Sequence, residues 1–70
     1  MIVLYTTDCP KCKILEKKLD EANVLYVKNN NVPEMISLGF LETPMLKVGE
    51  TTYNFTEAIK WANAKKLGVS

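Results

Sequence analysis

The sequence predicts an α/β domain with a four-stranded mixed sheet flanked by three helices, in the order β-α-β-α-β-β-α. Three observations carry that expectation. A β-favouring run, Ile2-Val3-Leu4-Tyr5, leads into a helical pattern and then a second apolar run, Val24-Leu25-Tyr26-Val27, which is how a βαβ unit reads. Further on, Met45-Leu46-Lys47-Val48 and Thr51-Thr52-Tyr53 flank Gly49-Glu50, the pattern of a hairpin. The length, 70 residues, holds a single domain spanning 1–70 with a small core and modest stability.

The first run, Ile2 to Tyr5, is continuously apolar and suits a strand covered on both faces. Thr6-Thr7-Asp8 breaks it with turn and cap residues. Pro10 to Ala22 reads as a helix. Asp8 or Cys9 can cap it, and Pro10 suits the first helical position, where no N–H is needed. Leu15, Leu19 and Ala22 recur at helical spacing as a core stripe, while Lys13, Glu16, Lys17 and Asp20 fall on the other side. Val24 to Val27 forms the second strand, and Asn29-Asn30-Asn31 is a loop. Pro33 starts a short helix carrying Met35, Ile36 and Leu38, which Gly39 ends. Phe40 to Thr43 then leads to Pro44, Phe40 and Leu41 being expected to pack beneath that turn, with an exposed substrate-docking role as the alternative. Met45 to Val48 and Thr51 to Tyr53 are the third and fourth strands, and Thr56 caps a last helix over Glu57 to Leu67, with Gly68 just past its end. Tyr5 and Trp61 read as packing residues, and Met45 as a core or groove residue.

Composition excludes several classes of function. Lys and Arg number 9 against 8 Asp and Glu, interspersed, which lacks the basic excess of a nucleic-acid footprint. The densest basic stretch, Lys11, Lys13, Lys17 and Lys18, reads as a solvated helix face, with a steering patch for an acidic partner as the alternative. No apolar run approaches the roughly 18 residues of a membrane span, and Met1 to Tyr5 lacks a basic leader, so a cytoplasmic protein is expected. With no histidine, Ser–His–Asp or Cys–His catalysis cannot be built. With 2 cysteines, one chain cannot close a zinc site of about four ligands.

The chemistry therefore centres on Cys9-Pro10-Lys11-Cys12, where the end of a strand meets a helix N-terminus. Unpaired N–H groups and the helix dipole make that first turn partially positive, and a thiolate placed there is stabilised. Cys9 lies at or before the first turn with its sulfur free to face outward. Cys12 lies one turn on, deeper on the same face. Lys11 and Lys13 favour a thiolate and Asp8 opposes it. A C-x-x-C opening the helix of a βαβ unit is a strong redox pattern, in which Cys9 attacks a substrate disulfide and Cys12 resolves the mixed disulfide. A merely structural disulfide is the poorer reading, because so short a ring constrains the unfolded chain little. A metal or iron–sulfur module bridged between two chains, and a non-catalytic adaptor, are the other readings.

The segment Tyr5-Thr6-Thr7-Asp8-Cys9-Pro10-Lys11-Cys12 resembles the active-site strand and loop of glutaredoxins, whose usual motif is Cys-Pro-Tyr-Cys; Lys11 replaces the tyrosine. Thr43-Pro44 looks like a second hallmark of that class, a cis-proline before the third strand, about 30 residues beyond Cys12. The resemblance covers nearly the whole chain, and the small size is similar to phage-encoded and clostridial glutaredoxin-like proteins. It implies a thioredoxin fold and a dithiol reductase of protein disulfides without a prosthetic group. It also implies that Thr43, Pro44, Pro10 and Lys11 bind the substrate, with the backbone of Thr43 pairing with the bound thiol. One position departs from the pattern. Glutathione-using members carry Gly-Gly at the start of the last helix, where this chain has Asn54-Phe55, and a phenylalanine there would crowd the tripeptide. Glutaredoxin-like proteins that serve ribonucleotide reductase and are reduced by thioredoxin reductase also depart from Gly-Gly here. Thioredoxin reductase is accordingly favoured over glutathione as electron source, ribonucleotide reductase is a possible acceptor on the resemblance alone, and a monomer is expected. Lys28, at the end of the second strand, reads as a solvated lysine or a contact for an acidic substrate group.

Overall fold

The computed structural model describes residues 1–67. Gly68, expected to end the last helix, lies outside the described residues. The elements are β1 (Ile2–Tyr5), α1 (Pro10–Glu21), β2 (Val27–Asn29), α2 (Val32–Ser37), β3 (Met45–Val48), β4 (Thr51–Tyr53) and α3 (Phe55–Lys66), in the expected order. They build an α/β structure on one open, mixed sheet of order β2-β1-β3-β4. β1 runs parallel to β2, with Val3 opposite Val27. β3 runs antiparallel to β1, with Leu4 opposite Leu46, and β4 antiparallel to β3. The parallel pair needs a crossover, which α1 provides, and the antiparallel pair needs only the turn at Gly49, whose φ of 60° is the left-handed conformation glycine adopts freely.

The core lies on the side of the sheet covered by α1 and α3. Its buried members are Leu4 and Leu46 from the opposed strands, Leu15 and Leu19 from α1, and Ala58 and Ala62 from α3. Residues four apart on a helix share a face, so each helix turns one pair inward. Each buried leucine contributes about 2 kcal/mol through the apolar area it removes from water. The alanines bring α3 close to the sheet while Trp61 and Tyr53 pack at its margin, ring centroids 6.4 Å apart.

Side chains alternate along a strand, so Tyr5 and its partner Met45 face the other side of the sheet. There Tyr5 is buried under Phe40, edge to face at 4.9 Å. α2 is one and a half turns long and buries only Met35; Val27, Val32, Ile36 and Leu38 stay exposed. The two faces are therefore unequally covered, a difference that matters beside the cysteines.

Three local expectations are corrected. The second strand starts at Val27, not Val24. Asn23 turns the chain in a left-handed conformation, Val24 donates its N–H to Leu19, and Val24 and Tyr26 pack against the core without a strand partner. Leu25, between them, is exposed. The last helix is capped by Asn54 rather than Thr56. Asn54 Oδ1 accepts from the Glu57 N–H at 2.9 Å, and Glu57 Oε1 accepts from the Asn54 N–H at 3.1 Å, a reciprocal capping box. Leu41 does not pack beneath the turn before Pro44 but is 99% exposed.

Candidate functional site

The C-terminal end of β1, the first turn of α1 and the segment before β3 converge at the cysteines. β1 ends at Tyr5, and the Thr6 N–H donates to the carbonyl of Asn29, extending the parallel ladder by one bond. Thr6 is buried, and its Oγ1 accepts from the Asp8 N–H at 3.1 Å, tightening the turn. Asp8 follows with φ 59°, a left-handed conformation that aspartate tolerates better than most residues. That reversal sets Cys9 as the N-cap of α1, with Pro10 next.

N-caps are usually Ser, Thr, Asp or Asn, because the role needs a side-chain acceptor. Here the acceptor is sulfur: Cys9 Sγ accepts from the backbone N–H of Cys12 at 3.2 Å. Both cysteines are free thiols, Cys9 partly exposed and Cys12 fully buried. The Cys12 thiol is lowered from an ordinary 9.0 to about 7. Burial alone would raise it; hydrogen bonds from Cys9 and Thr6 side chains and from the Thr7 and Cys9 backbones lower it by more. The lowered thiol is the buried one, which sequence reasoning did not single out.

Thr43 completes the site. Its carbonyl and its Oγ1 both lie 3.9 Å from Cys9 Sγ, and its hydroxyl pairs with that of Thr7 at 2.9 Å. Pro44 follows through a cis peptide bond and is fully buried. Comparison with protein-family models, with curated proteins and with solved structures finds no match for this chain. The geometry thus stands on its own residues.

Of the residues singled out in the sequence, Cys9, Cys12, Thr43 and Pro44 meet at one place. Pro10 lies exposed on the first turn of the helix. Lys11 lies over Phe55, its Nζ 5.6 Å from the centre of the ring. It lines a polar cavity of about 200 Å³ with Thr43, Asn54, Phe55, Thr56 and Glu42. Lys28 does not reach the site as a free charge, because it pairs with Glu16 of α1, and that partner raises its pKa. Sequence reasoning missed Thr6 and Thr7, which it read as turn residues only. A hydroxyl run immediately before the cysteine motif was the available signal. Among the described residues, no three or more His, Cys, Asp or Glu side chains are grouped to hold a metal, and no helix is long and apolar enough to cross a membrane.

Proposed function

We propose that this protein is a thiol–disulfide oxidoreductase with a thioredoxin fold, a glutaredoxin-like dithiol that reduces disulfides in other proteins. The observation that carries the reading is the unequal sulfur pair at the N-terminus of α1: Cys9 reachable, Cys12 buried three residues on, the two linked through the 3.2 Å bond from the Cys12 N–H.

In the forward direction a thiolate at Cys9 attacks one sulfur of the substrate disulfide. The substrate S–S bond breaks, a mixed disulfide forms, and the first substrate sulfur leaves as a thiolate that takes up a proton. Cys12 gives up its proton and, as a thiolate, attacks Cys9 Sγ. The second substrate thiolate leaves and the Cys9–Cys12 disulfide remains. Two electrons have passed from the dithiol to the substrate. The Cys12 N–H that faces Cys9 Sγ supports the negative charge of the Cys9 thiolate before it attacks, since hydrogen bonds to an ionised group are the stronger kind. Thr43, beside Cys9, offers backbone groups to the incoming chain, and Lys11 borders it. The reduced state is restored by thioredoxin reductase or by glutathione, the former favoured because Phe55 lines the polar cavity beside Thr43 and narrows it for the tripeptide.

The deciding experiment follows NADPH loss on oxidised protein with thioredoxin reductase, and separately with glutathione and glutathione reductase. Turnover with the first alone is expected. Turnover with neither removes the reductase reading. A reduction potential between roughly −200 and −270 mV is expected, and a value near −120 mV would mark an oxidant instead.

A further inference from the structure

The walls on the two sides of Thr43 differ in chemistry. Towards α3 lies the polar cavity bordered by Lys11, Asn54 and Thr56. Towards α2 lies an open cavity of about 260 Å³, with Met35, Ile36, Phe40 and Leu41 as its apolar wall and Thr7 and Thr43 at its inner end. The two are joined at Thr43, which borders both and touches Cys9 Sγ. Ile36 is 69% exposed and Leu41 99%, large apolar side chains left in water on a cavity that Thr43 also lines. Isolated exposed apolar residues carry no meaning, but here they rim a concavity whose inner end is Thr43, the neighbour of Cys9 Sγ.

We infer that the α2-side cavity receives an apolar side chain that flanks the disulfide-bonded cysteine of a protein substrate, making the enzyme selective for disulfides with a large aliphatic neighbour. This rests on the dithiol-reductase reading above. Two observations choose the occupant. A sulfur attacked by Cys9 lies at Thr43, so the chain bearing it must pass over one wall or the other, and only this wall removes apolar surface from water. The volume lies below the roughly 300–1,000 Å³ typical of small-molecule ligand sites and fits one side chain entering from an extended segment. The charge at its edge is Glu42, so a basic residue beyond the aliphatic one is the better fit than an acidic one.

The test uses the pre-reduced full chain in single turnover, so no reductase is needed. The probes are disulfide-linked short peptides with leucine or serine beside the cysteine, on either side, and bis(2-hydroxyethyl) disulfide. The leucine peptides are expected to react about tenfold faster than the serine peptides, the part of a leucine's burial that an open site can supply. Ile36→Asp and Leu41→Ser are each expected to remove most of that ratio. Leu25→Ser, equally exposed but far from the cysteines in the fold, is expected to leave it unchanged. Equal rates for leucine and serine peptides, with the hydroxyethyl compound still reduced, overturn the inference and leave the reductase reading standing. No reaction with any disulfide overturns both. A sedimentation experiment in which the wild type is a dimer and Ile36→Asp a monomer would assign the cavity to a second copy of the chain and overturn the inference as well.

Discussion

The backbone N–H of Cys12 donates to the sulfur of Cys9 across 3.2 Å, so the residue that caps α1 is also the exposed member of the dithiol. Capping and chemistry share one atom. Its consequences for reactivity, for pH and for substrate preference can each be measured.

Removing either sulfur has a different outcome. Cys9→Ser is expected to abolish disulfide reduction while keeping the helix cap, since serine is a better N-cap than cysteine. Cys12→Ser is expected to stall as a covalent mixed disulfide with the peptide probe, visible by intact-protein mass spectrometry. A Cys12→Ser protein that turns over at the wild-type rate, with no trapped adduct, would mean Cys12 is not the resolving thiol.

The reduced protein gains stability with rising pH. Cys12 titrates at about 7 in the folded state against 9.0 ordinarily, so its contribution is fully present above about pH 9 and is lost as pH falls through 7. The full gain is about 3 kcal/mol and confined to the dithiol form, because the disulfide has no thiol to titrate. Urea midpoints of reduced and oxidised protein between pH 6 and pH 9 check this; parallel curves for the two forms contradict it.

The cap of α3 is worth a measurable share of a small domain's stability. Asn54→Ala removes one half of the capping box and is expected to cost about 1 kcal/mol, lowering Tm by roughly 4–8 °C. Thr56→Ala, at the position that the sequence pointed to, is expected to change little.

Phe55 is expected to limit glutathione use. It stands beside Lys11 and lines the polar cavity next to Thr43. Phe55→Gly should raise glutathione-dependent turnover in the NADPH assay and cost about 1–2 kcal/mol of stability from lost packing against the core. Unchanged turnover in a folded Phe55→Gly protein would show that the phenylalanine is not the obstacle.

Much of the fold was legible because the local signals agreed with one another. The order of seven elements, the strand Met45–Val48, the strand Thr51–Tyr53 and the turn at Gly49 follow from short-range patterns that the tertiary structure leaves intact. Val24 to Tyr26 misled because an apolar, β-favouring run reads the same whether it pairs in a sheet or merely covers a core. β1 is four residues long and offers partners only from Val27 onward. Thr56 misled because two candidate cap residues lie two positions apart, and the choice fell to Asn54, three residues before Glu57, which returns the bond.

The sequence by itself determined the α/β class and the placing of Cys9 and Cys12 at a strand-to-helix junction, while Thr43-Pro44 was marked by the resemblance to glutaredoxins. Helical and strand periods, cap residues and the C-x-x-C spacing are local quantities, and local quantities can be read from neighbours in the chain. Only the tertiary structure decided that Thr43 stands 3.9 Å from Cys9 Sγ, that Lys11 leans on Phe55, that Lys28 is taken up by Glu16, and that an apolar hollow opens beside Thr7. These contacts join residues from 12 to more than 40 positions apart. Their distances are set by how α1, α2 and α3 pack around the sheet, and no spacing along the chain encodes that packing.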